Sequence, residues 1–236
     1  MRLATCRTGK ISILYDADSL CDAGKAPQIG PHLVDPDHWR HAGRVIGEAP
    51  GRGASLFLDA GAGREWVLRP YRRGGLVARL NASRYLWTGL ERTRAFRELR
   101  LTADLHDRGL PVPRPVAAGV TRHGPTYEAA LVTCRIAGAR ALASLLEGDE
   151  TNDDLLKHVG ATIRRFHDAG LDHVDLNARN LLIDKDKKTW LIDLDRCRLR
   201  QDGAWKTRNL DRLARSLAKF GAPEAMAPIR RGYGDS

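Results

Sequence analysis

The most informative part of the sequence is His173-Val174-Asp175-Leu176-Asn177-Ala178-Arg179-Asn180, which is followed by Ile192-Asp193-Leu194-Asp195. Between these segments lie two apolar runs, Leu181-Leu182-Ile183 and Trp190-Leu191-Ile192, separated by charged residues. Such runs predict a β-hairpin. Single Asp and Asn residues usually cap helices or form turns. Here a loop and the end of a hairpin would bring a carboxylate, an amide and a second carboxylate to one point, which favours a site for chemistry.

The two segments match the catalytic-loop pattern of kinases, H-R-D-L-x-x-x-N with a later aspartate, although Val174 replaces the arginine. Phosphoryl transfer passes through a loose, charge-rich transition state, so such an enzyme mainly orients a hydroxyl and neutralises charge. The pattern predicts Asp175 as the proton acceptor. It predicts Asn180 and Asp193 as the ligands of Mg²⁺, with ATP as the phosphoryl donor.

Two neighbouring residues have alternative roles. Asp195 competes with Asp193 for the metal, and we prefer Asp193 because it directly follows the apolar run. Asp195 would then pair with Arg196 or another nearby arginine. We assign His173 a structural role in supporting the loop backbone.

The N-terminal half offers a glycine pair for binding phosphates. Glycine-punctuated apolar runs from Val45 to about Arg69 predict antiparallel hairpins. Gly51 and Gly53 lie between two of these runs, where backbone amides can approach the phosphates of ATP. The third glycine of G-x-G-x-x-G is missing because Leu56 takes its place, and a plain hairpin turn explains the pair equally well.

A cationic side chain is also expected at the phosphates. Arg69 ends the run Trp66-Val67-Leu68-Arg69, where kinases of the V-A-I-K type carry a lysine. We expect its forked guanidinium to pair with Glu98 in the middle of the next helix. Alternatively, Glu98 pairs with Arg94 or Arg97 on the helix surface.

The overall pattern predicts an α+β fold. Residues 1 to about 40 read as an irregular N-terminal extension. Residues about 40–135 read as an antiparallel sheet with a helix from Leu90 to Arg108, and residues about 140–236 as mainly helical. Gly138 marks the boundary between these two parts.

Two helices are predicted in the second part. The first is opened by the segment Thr151 to Asp154, with a hydroxyl as its cap, and ends at Gly170. The last runs from about Arg208 to Phe220, because Gly221 and Pro223 stop it.

Composition excludes several classes of protein. The 236 residues include no apolar window long enough for a membrane-spanning helix or a signal peptide, and the four cysteines are too scattered for a disulfide framework or a zinc site. The net charge is +10, and 31 of the 39 basic residues are Arg. Arg binds phosphate bidentately, so the excess favours phosphorylated, nucleic-acid or anionic-lipid partners, although genomic base composition produces the same bias.

These residues resemble the 3-deoxy-D-manno-octulosonic acid (Kdo) kinases of Gram-negative bacteria, within the protein-kinase-like superfamily. The resemblance covers most of the chain. Its further carriers are Asp35-Pro36-Asp37-His38-Trp39, the glycine pair, the run Leu68 to Leu80, Arg97-Glu98-Leu99 and Gly109 to Pro115. The arginine- and glycine-rich run from Leu68 to Leu80 is the most specific, because ordinary protein kinases have no such segment there. Within this family an arginine at position 69 is normal.

The resemblance implies one two-lobed, protein-kinase-like catalytic domain over residues 1–236, with a helical C-terminal lobe. It implies transfer of the ATP γ-phosphate to the 4-hydroxyl of Kdo on a lipid A precursor, a step in lipopolysaccharide core biosynthesis. The enzyme would be peripheral on the cytoplasmic face of the inner membrane, which fits the charge of +10. We expect Arg72, Arg73 and Arg79 to bind the Kdo carboxylate or lipid phosphates, with Arg72 and Arg73 as alternatives to Arg69 at ATP.

Three other readings remain. Another small-molecule kinase of the same fold, of heptose or aminoglycoside type, would share the catalytic loop. A basic nucleic-acid-binding protein or a silent adaptor with vestigial motifs would not need Asp175, Asn180 and Asp193 intact. We therefore expect neither nucleic acid nor an obligate protein as a partner.

Overall fold

The computed structural model of the chain describes residues 1–20, 29–49, 55–71 and 84–234. The chain divides into two compact units. Unit 1 consists of Met1–Asp107 and Arg114–Arg135, and unit 2 consists of Arg108–Pro113 and Ile136–Ser236. The final passage into unit 2 thus lies close to the boundary predicted at Gly138.

Unit 1 contains a large antiparallel sheet and, among its described residues, three α-helices. The strands are β1 (Leu3–Thr8), β2 (Ile11–Asp16), β3 (Val45–Ala49), β4 (Ser55–Gly61), β5 (Arg64–Pro70), β6 (Tyr85–Leu86), β7 (Pro115–His123) and β8 (Thr126–Cys134). The helices are α1 (Ala17–Leu20), α2 (Pro36–His41) and α3 (Arg94–Asp107). The strand order is β1-β2-β7-β8-β5-β4-β3, and β6 pairs with β8. The hairpins predicted between Val45 and Arg69 are confirmed.

The central strands of the sheet carry apolar clusters on both faces. Successive side chains of a strand point to opposite sides, so neighbouring residues enter different clusters. Along β8, Val132 belongs to one apolar cluster and its neighbour Leu131 to another. Trp39 of α2 lies in the first cluster, and Phe96 and Leu99 of α3 lie in the second. The helix predicted between Leu90 and Arg108 therefore packs against the sheet through Phe96 and Leu99.

The prediction that residues 1 to about 40 form an irregular extension is wrong. β1 pairs with β2, and β2 pairs with β7, so the N-terminal hairpin extends the sheet. Ile13 and Leu14 of β2 are both almost completely buried, because the strand lies inside the sheet with an apolar cluster on each face. Such a strand lacks the alternation by which a half-buried strand is recognised.

A buried carboxylate fixes the end of this hairpin. Asp16 is fully buried, and its carboxylate accepts hydrogen bonds from Arg114 (2.8 and 3.1 Å) and from Ser19 Oγ (2.7 Å). Burial alone would raise the pKa of Asp16, but the hydrogen bonds from Ser19 and Arg114 outweigh it and hold that pKa below its ordinary value. The N-terminal hairpin is thereby joined to the residue that precedes β7.

We predict that Asp16→Asn lowers the free energy of unfolding by about 2 kcal/mol near neutral pH, because hydrogen bonds to a buried charge are replaced by neutral ones. The pKa of Asp16 is lowered in the folded state, so its stabilising contribution is present above the ordinary Asp pKa and is lost as the pH falls through the folded value. Urea unfolding from neutral to acid pH should give a shallower acid loss for the variant. Asp18→Asn, at an exposed carboxylate, is the control, and equal effects of the two changes would contradict the prediction.

Unit 2 contains short strands and, among its described residues, four α-helices. The strands are β9 (Arg140–Ala141), β10 (Leu171–Asp172), β11 (Leu181–Ile183), β12 (Thr189–Leu191) and β13 (Arg198–Leu199). The helices are α4 (Leu142–Glu147), α5 (Asp153–Asp168), α6 (Trp205–Lys219) and α7 (Met226–Tyr233). The predicted hairpin is confirmed as β11 and β12, β9 pairs with β11, and β10 pairs with β13. Across the described ranges of the whole chain, no helix combines the length and apolar character needed to cross a membrane.

The helices of unit 2 differ from the prediction in one cap, one start and one additional helix. The side-chain oxygen of Asn152 accepts from the backbone N–H of Leu155, so this amide caps α5 instead of the predicted Thr151 hydroxyl. Helix α6 begins at Trp205 and not at about Arg208. It is also not the last helix, because α7 follows it.

Helix α7 is held by an unusually close contact with α5. A Cβ added at Gly160 of α5 would lie 1.9 Å from the carbonyl oxygen of Ile229. One added at Gly232 of α7 would lie 2.0 Å from the carbonyl oxygen of Lys157. The two backbones touch through these glycines. Because Gly disfavours a helix in isolation, packing against α5 and not local propensity stabilises α7.

Candidate active site

The loop from His173 to Asn180 follows β10 and leads directly into β11. The side-chain oxygen of Asn177 accepts hydrogen bonds from the backbone N–H groups of Arg179 (2.9 Å) and Asn180 (3.2 Å). Asn177 Nδ2 and Asn180 Nδ2 both donate to the carbonyl oxygen of Asp175, at 3.0 and 2.9 Å. The loop is therefore shaped by its own amide side chains, a common use of Asn in turns.

Asp175 and Asn180 present oxygen atoms in different ways. Asp175 is exposed, and no described group forms a hydrogen bond or an ion pair with its carboxylate. Asn180 is buried, and because its Nδ2 donates to the loop, its Oδ1 is the atom left for a ligand. The backbone carbonyl of Asn180 accepts from the N–H of Ile192 at 3.0 Å, which connects the loop to the residue before Asp193.

His173 is buried, and its Nε2 lies 3.0 Å from the carbonyl oxygen of Ile192. Burial lowers the pKa of His173, and this effect exceeds the opposing electrostatic effects of Asp193 and Asp175. The ring is therefore neutral, with the proton on Nε2 so that it donates to the carbonyl oxygen. This contact agrees with the structural role predicted for His173. His173 lies two residues before Asp175, and its ring contacts the carbonyl of the residue before Asp193, so one side chain links the two segments.

Asp193 lies two residues after the end of β12, in a left-handed backbone conformation with φ = 60°. This region is uncommon for residues other than Gly, although Asp and Asn enter it more easily than most. Strained backbone of this kind is concentrated at functional sites. Asp195 Oδ2 lies 3.8 Å from Arg196 Nε, which is the pairing considered for it from the sequence.

The donor set fits Mg²⁺ only in part. Among the described residues, no three His, Cys, Asp or Glu side chains converge to form a metal centre. Mg²⁺ prefers octahedral oxygen coordination and usually keeps several waters, with one or two protein carboxylates and substrate phosphates completing the shell. Asn180 Oδ1 and the carboxylate of Asp193 are the right chemistry for such an open site.

Helix α6 holds the loop from one side, a contact that the sequence analysis missed. Asn209 Oδ1 accepts from the backbone N–H of His173 at 2.9 Å, and Asn209 Nδ2 donates to Asp172 Oδ1 at 3.1 Å. Seven residues later, Ser216 Oγ accepts from the backbone N–H of Ala178 at 3.1 Å. In the sequence, this contact is indicated only by two polar residues, at i and i+7, beside the apolar face of a helix.

A buried carboxylate pairs with an arginine in unit 1. Arg69 Nη2 lies 2.5 Å from Glu98 Oε1, and the Tyr71 hydroxyl donates to Glu98 Oε2. The side chain of Glu98 is 3% exposed, and a buried carboxylate is costly unless it is paired and hydrogen-bonded, as Glu98 is here. The pairing of Glu98 with Arg69 expected from the sequence is therefore present. Tyr71 was missed, although it lies two residues beyond Arg69, the period that places side chains on one face of a strand.

Five predicted site residues lie outside the described residues. They are Gly51 and Gly53, expected at the phosphates, and Arg72, Arg73 and Arg79, expected at the acceptor. Of the residues that are described, Asp175, Asn180 and Asp193 belong to unit 2, and Arg69 and Glu98 belong to unit 1.

The lipopolysaccharide kinase (Kdo/WaaP) family model matches residues 36–231. The chain belongs to this family. It is 43% identical to the 3-deoxy-D-manno-octulosonic acid kinase of Stenotrophomonas maltophilia strain K279a, over 98% of this chain and 90% of the relative. The protein of the same name from Vibrio cholerae is 43% identical, over 78% of each chain, and that of Xylella fastidiosa strain M23 is 42% identical, over 91% of this chain and 85% of the relative.

Membership of the Kdo/WaaP family makes the chain a phosphotransferase, and a kinase family implies the use of ATP. The resemblance inferred from the sequence is confirmed. The large antiparallel sheet and the helices are consistent with a kinase-like fold.

We predict that Asn209→Ala lowers the free energy of unfolding by about 3 kcal/mol, because it leaves the His173 N–H without a partner and removes one hydrogen bond from the buried Asp172 carboxylate. Phosphotransfer activity should fall further than the loss of folded protein explains. Thr207→Ala, at an exposed position of the same helix, is the control. Urea unfolding and activity per folded molecule measure the two effects, and unchanged values for both would refute the anchoring role of Asn209.

Proposed function

We propose that this protein transfers the γ-phosphate of ATP to the 4-hydroxyl of Kdo on a lipid A precursor, in lipopolysaccharide core biosynthesis. The observation that carries the proposal is the exposed carboxylate of Asp175, held beside the buried amide of Asn180 on a rigid loop. Relatives that are 41–43% identical over most of the chain are named for phosphorylation of Kdo.

In this mechanism Asp175 accepts the proton of the acceptor hydroxyl and orients its oxygen toward the phosphate. Its carboxylate has no described partner, so it is available to a hydroxyl, while the two amide contacts to its own carbonyl hold the backbone still. Asn180 and Asp193 would hold Mg²⁺, which supplies neutralisation of charge on the phosphate oxygens when bound. His173 stays neutral and keeps the segment before Asp193 in place.

Arg69 is the proposed cation for the phosphates of ATP. Its Nη2 contacts Glu98, and 26% of its side chain remains exposed. Glu98 and the Tyr71 hydroxyl are positioning groups that fix the direction of the guanidinium. Gly51 and Gly53 would supply backbone amides to the same phosphates. Units 1 and 2 would be the N-terminal and C-terminal lobes of one kinase-like catalytic domain.

The acceptor would be bound by Arg72, Arg73 and Arg79, through its carboxylate or its phosphates. Because this acceptor is embedded in a bilayer, we propose a peripheral location on the cytoplasmic face of the inner membrane. The net charge of +10 supports this location, since anionic surfaces attract basic residues.

We predict Mg²⁺-dependent transfer of labelled γ-phosphate from ATP to a Kdo-bearing lipid A precursor, and its loss with EDTA. Asp175→Ala should reduce the rate at least about 10²-fold, because a positioned proton acceptor is removed. Asp186→Ala, at an exposed carboxylate in the β11–β12 turn, is the matched control and should retain the rate.

Two outcomes of this assay would contradict the proposal in different ways. If ATP binds but the lipid stays unlabelled, the acceptor assignment fails, and heptose and aminoglycoside acceptors are the next to be assayed. If Asp175→Ala keeps the wild-type rate, the catalytic role of Asp175 fails.

A second prediction distinguishes the residues that bind ATP from those that bind the acceptor. Glu98→Gln should raise KM for ATP about tenfold and leave KM for the acceptor unchanged, because it releases Arg69 from a charged partner. Arg72→Ala/Arg73→Ala should raise KM for the acceptor and leave KM for ATP unchanged. Initial rates at varied ATP and varied acceptor measure both constants, and each variant is the control for the other. A rise of the same KM in both variants would show that the two sets of residues do not act on different substrates.

A further inference from the structure

Helix α6 carries a row of basic residues, Arg208, Arg212, Arg215 and Lys219, which we name the basic stripe. The spacing i, i+4, i+7 and i+11 places all four on one side of an α-helix, within a sector of roughly 60° and over a length of roughly 16 Å. Arg208, Arg215 and Lys219 are exposed, and Arg212 is partly exposed.

The four side chains of the basic stripe form no ion pair with any described residue. Other basic residues of unit 2 do, as in the pairs Lys206–Asp202 (2.7 Å), Arg164–Asp168 (2.8 Å) and Arg231–Asp153 (2.6 Å). The single acidic residue of α6, Asp211, lies 3.9 Å from Arg230 of α7. The basic stripe is thus a local excess of positive charge and not one half of a salt-bridge network.

The basic stripe lies beside the face of α6 that holds the catalytic loop. That face carries Asn209 and Ser216, which accept hydrogen bonds from the loop backbone. Each residue turns an α-helix by 100°, so the face with Asn209 and Ser216 is rotated by roughly 80° about the helix axis from the centre of the basic stripe. The rotation is toward the apolar face. Just past Lys219, the ring of Phe220 lies 5.2 Å from the guanidinium carbon of Arg179, a residue of the loop itself.

We propose that the basic stripe docks the enzyme onto the anionic phosphates of a lipid bilayer. Guanidinium groups bind phosphate bidentately. One small anion would occupy one or two of these side chains, whereas a row of roughly 16 Å matches a surface that repeats its phosphates. Docking through α6 brings the loop with Asp175 to the bilayer surface, where a lipid-linked hydroxyl is found.

This proposal deepens the proposed function, because it supplies the surface by which a lipid-linked acceptor is approached. Binding can nevertheless be measured without ATP or acceptor. Co-sedimentation with vesicles of phosphatidylcholine alone, or of phosphatidylcholine mixed with phosphatidylglycerol, tests the surface by itself. Phosphotransfer to detergent-solubilised acceptor tests the function by itself, so the two can fail separately.

The test compares two variants that each remove three positive charges from unit 2. Arg208→Gln/Arg212→Gln/Arg215→Gln changes the basic stripe, and Lys185→Gln/Lys187→Gln/Lys188→Gln changes the exposed β11–β12 turn. We expect wild type to bind only the anionic vesicles. The stripe variant should bind them about 10²-fold more weakly, since each basic residue at such a surface contributes about fivefold. The turn variant should stay within about threefold of wild type, and both should keep the detergent-based activity and a normal thermal unfolding curve.

Three results would overturn the proposal. The first is wild-type binding to phosphatidylcholine that equals binding to the anionic vesicles. The second is an equal loss of binding in the stripe and turn variants, which would assign the effect to net charge. The third is loss of duplex DNA binding in the stripe variant with vesicle binding retained, which would make the stripe a nucleic-acid surface.

Discussion

The two hydrogen bonds of Asn209 hold the loop of residues 173–180, the proposed catalytic loop, against α6. One amide accepts from the backbone of His173 and donates to the buried carboxylate of Asp172, and that carboxylate is also bound by Arg200. The proposed proton acceptor has to be exposed to its substrate, so its position must be fixed through the backbone on either side of it. The loop therefore combines an exposed Asp175 with buried polar neighbours that have specific partners.

Unit 1 also contains a partly exposed functional side chain that is oriented by buried polar groups. Glu98 is a buried carboxylate between β5 and α3, and its two oxygens are occupied by Arg69 and Tyr71. Buried ion pairs add little net stability, because the cost of removing two charges from water offsets their attraction. Their value lies in direction: the guanidinium of Arg69 is held in one orientation. Asp16 and Arg114 form a second such pair, which ties the N-terminal hairpin into the sheet.

The high arginine content serves more than one purpose. Arg69, Arg114 and Arg200 neutralise buried carboxylates, and a further group pairs with acids at the surface. The basic stripe on α6 has no such partners among the described residues. A net charge alone favours anionic surfaces in general. Because the basic stripe lies on one helix face next to the loop of residues 173–180, the proposed attraction would orient that loop toward the anionic surface.

The sequence by itself determined the local elements and the chemistry of the loop. The H-x-D-L-x-x-x-N pattern, the β11–β12 hairpin and the existence of helix α3 follow from spacing and periodicity, which neighbours along the chain decide. The partners of the site residues were decided by the tertiary structure. Asn209 and Ser216 reach the loop from more than 30 residues away, and α7 forms because Gly160 and Gly232 let two backbones touch. The N-terminal hairpin is part of the sheet because β2 forms antiparallel hydrogen bonds with the edge of β7. These contacts join distant parts of the chain, and no local pattern encodes which distant residue will supply a hydrogen bond or fill a space.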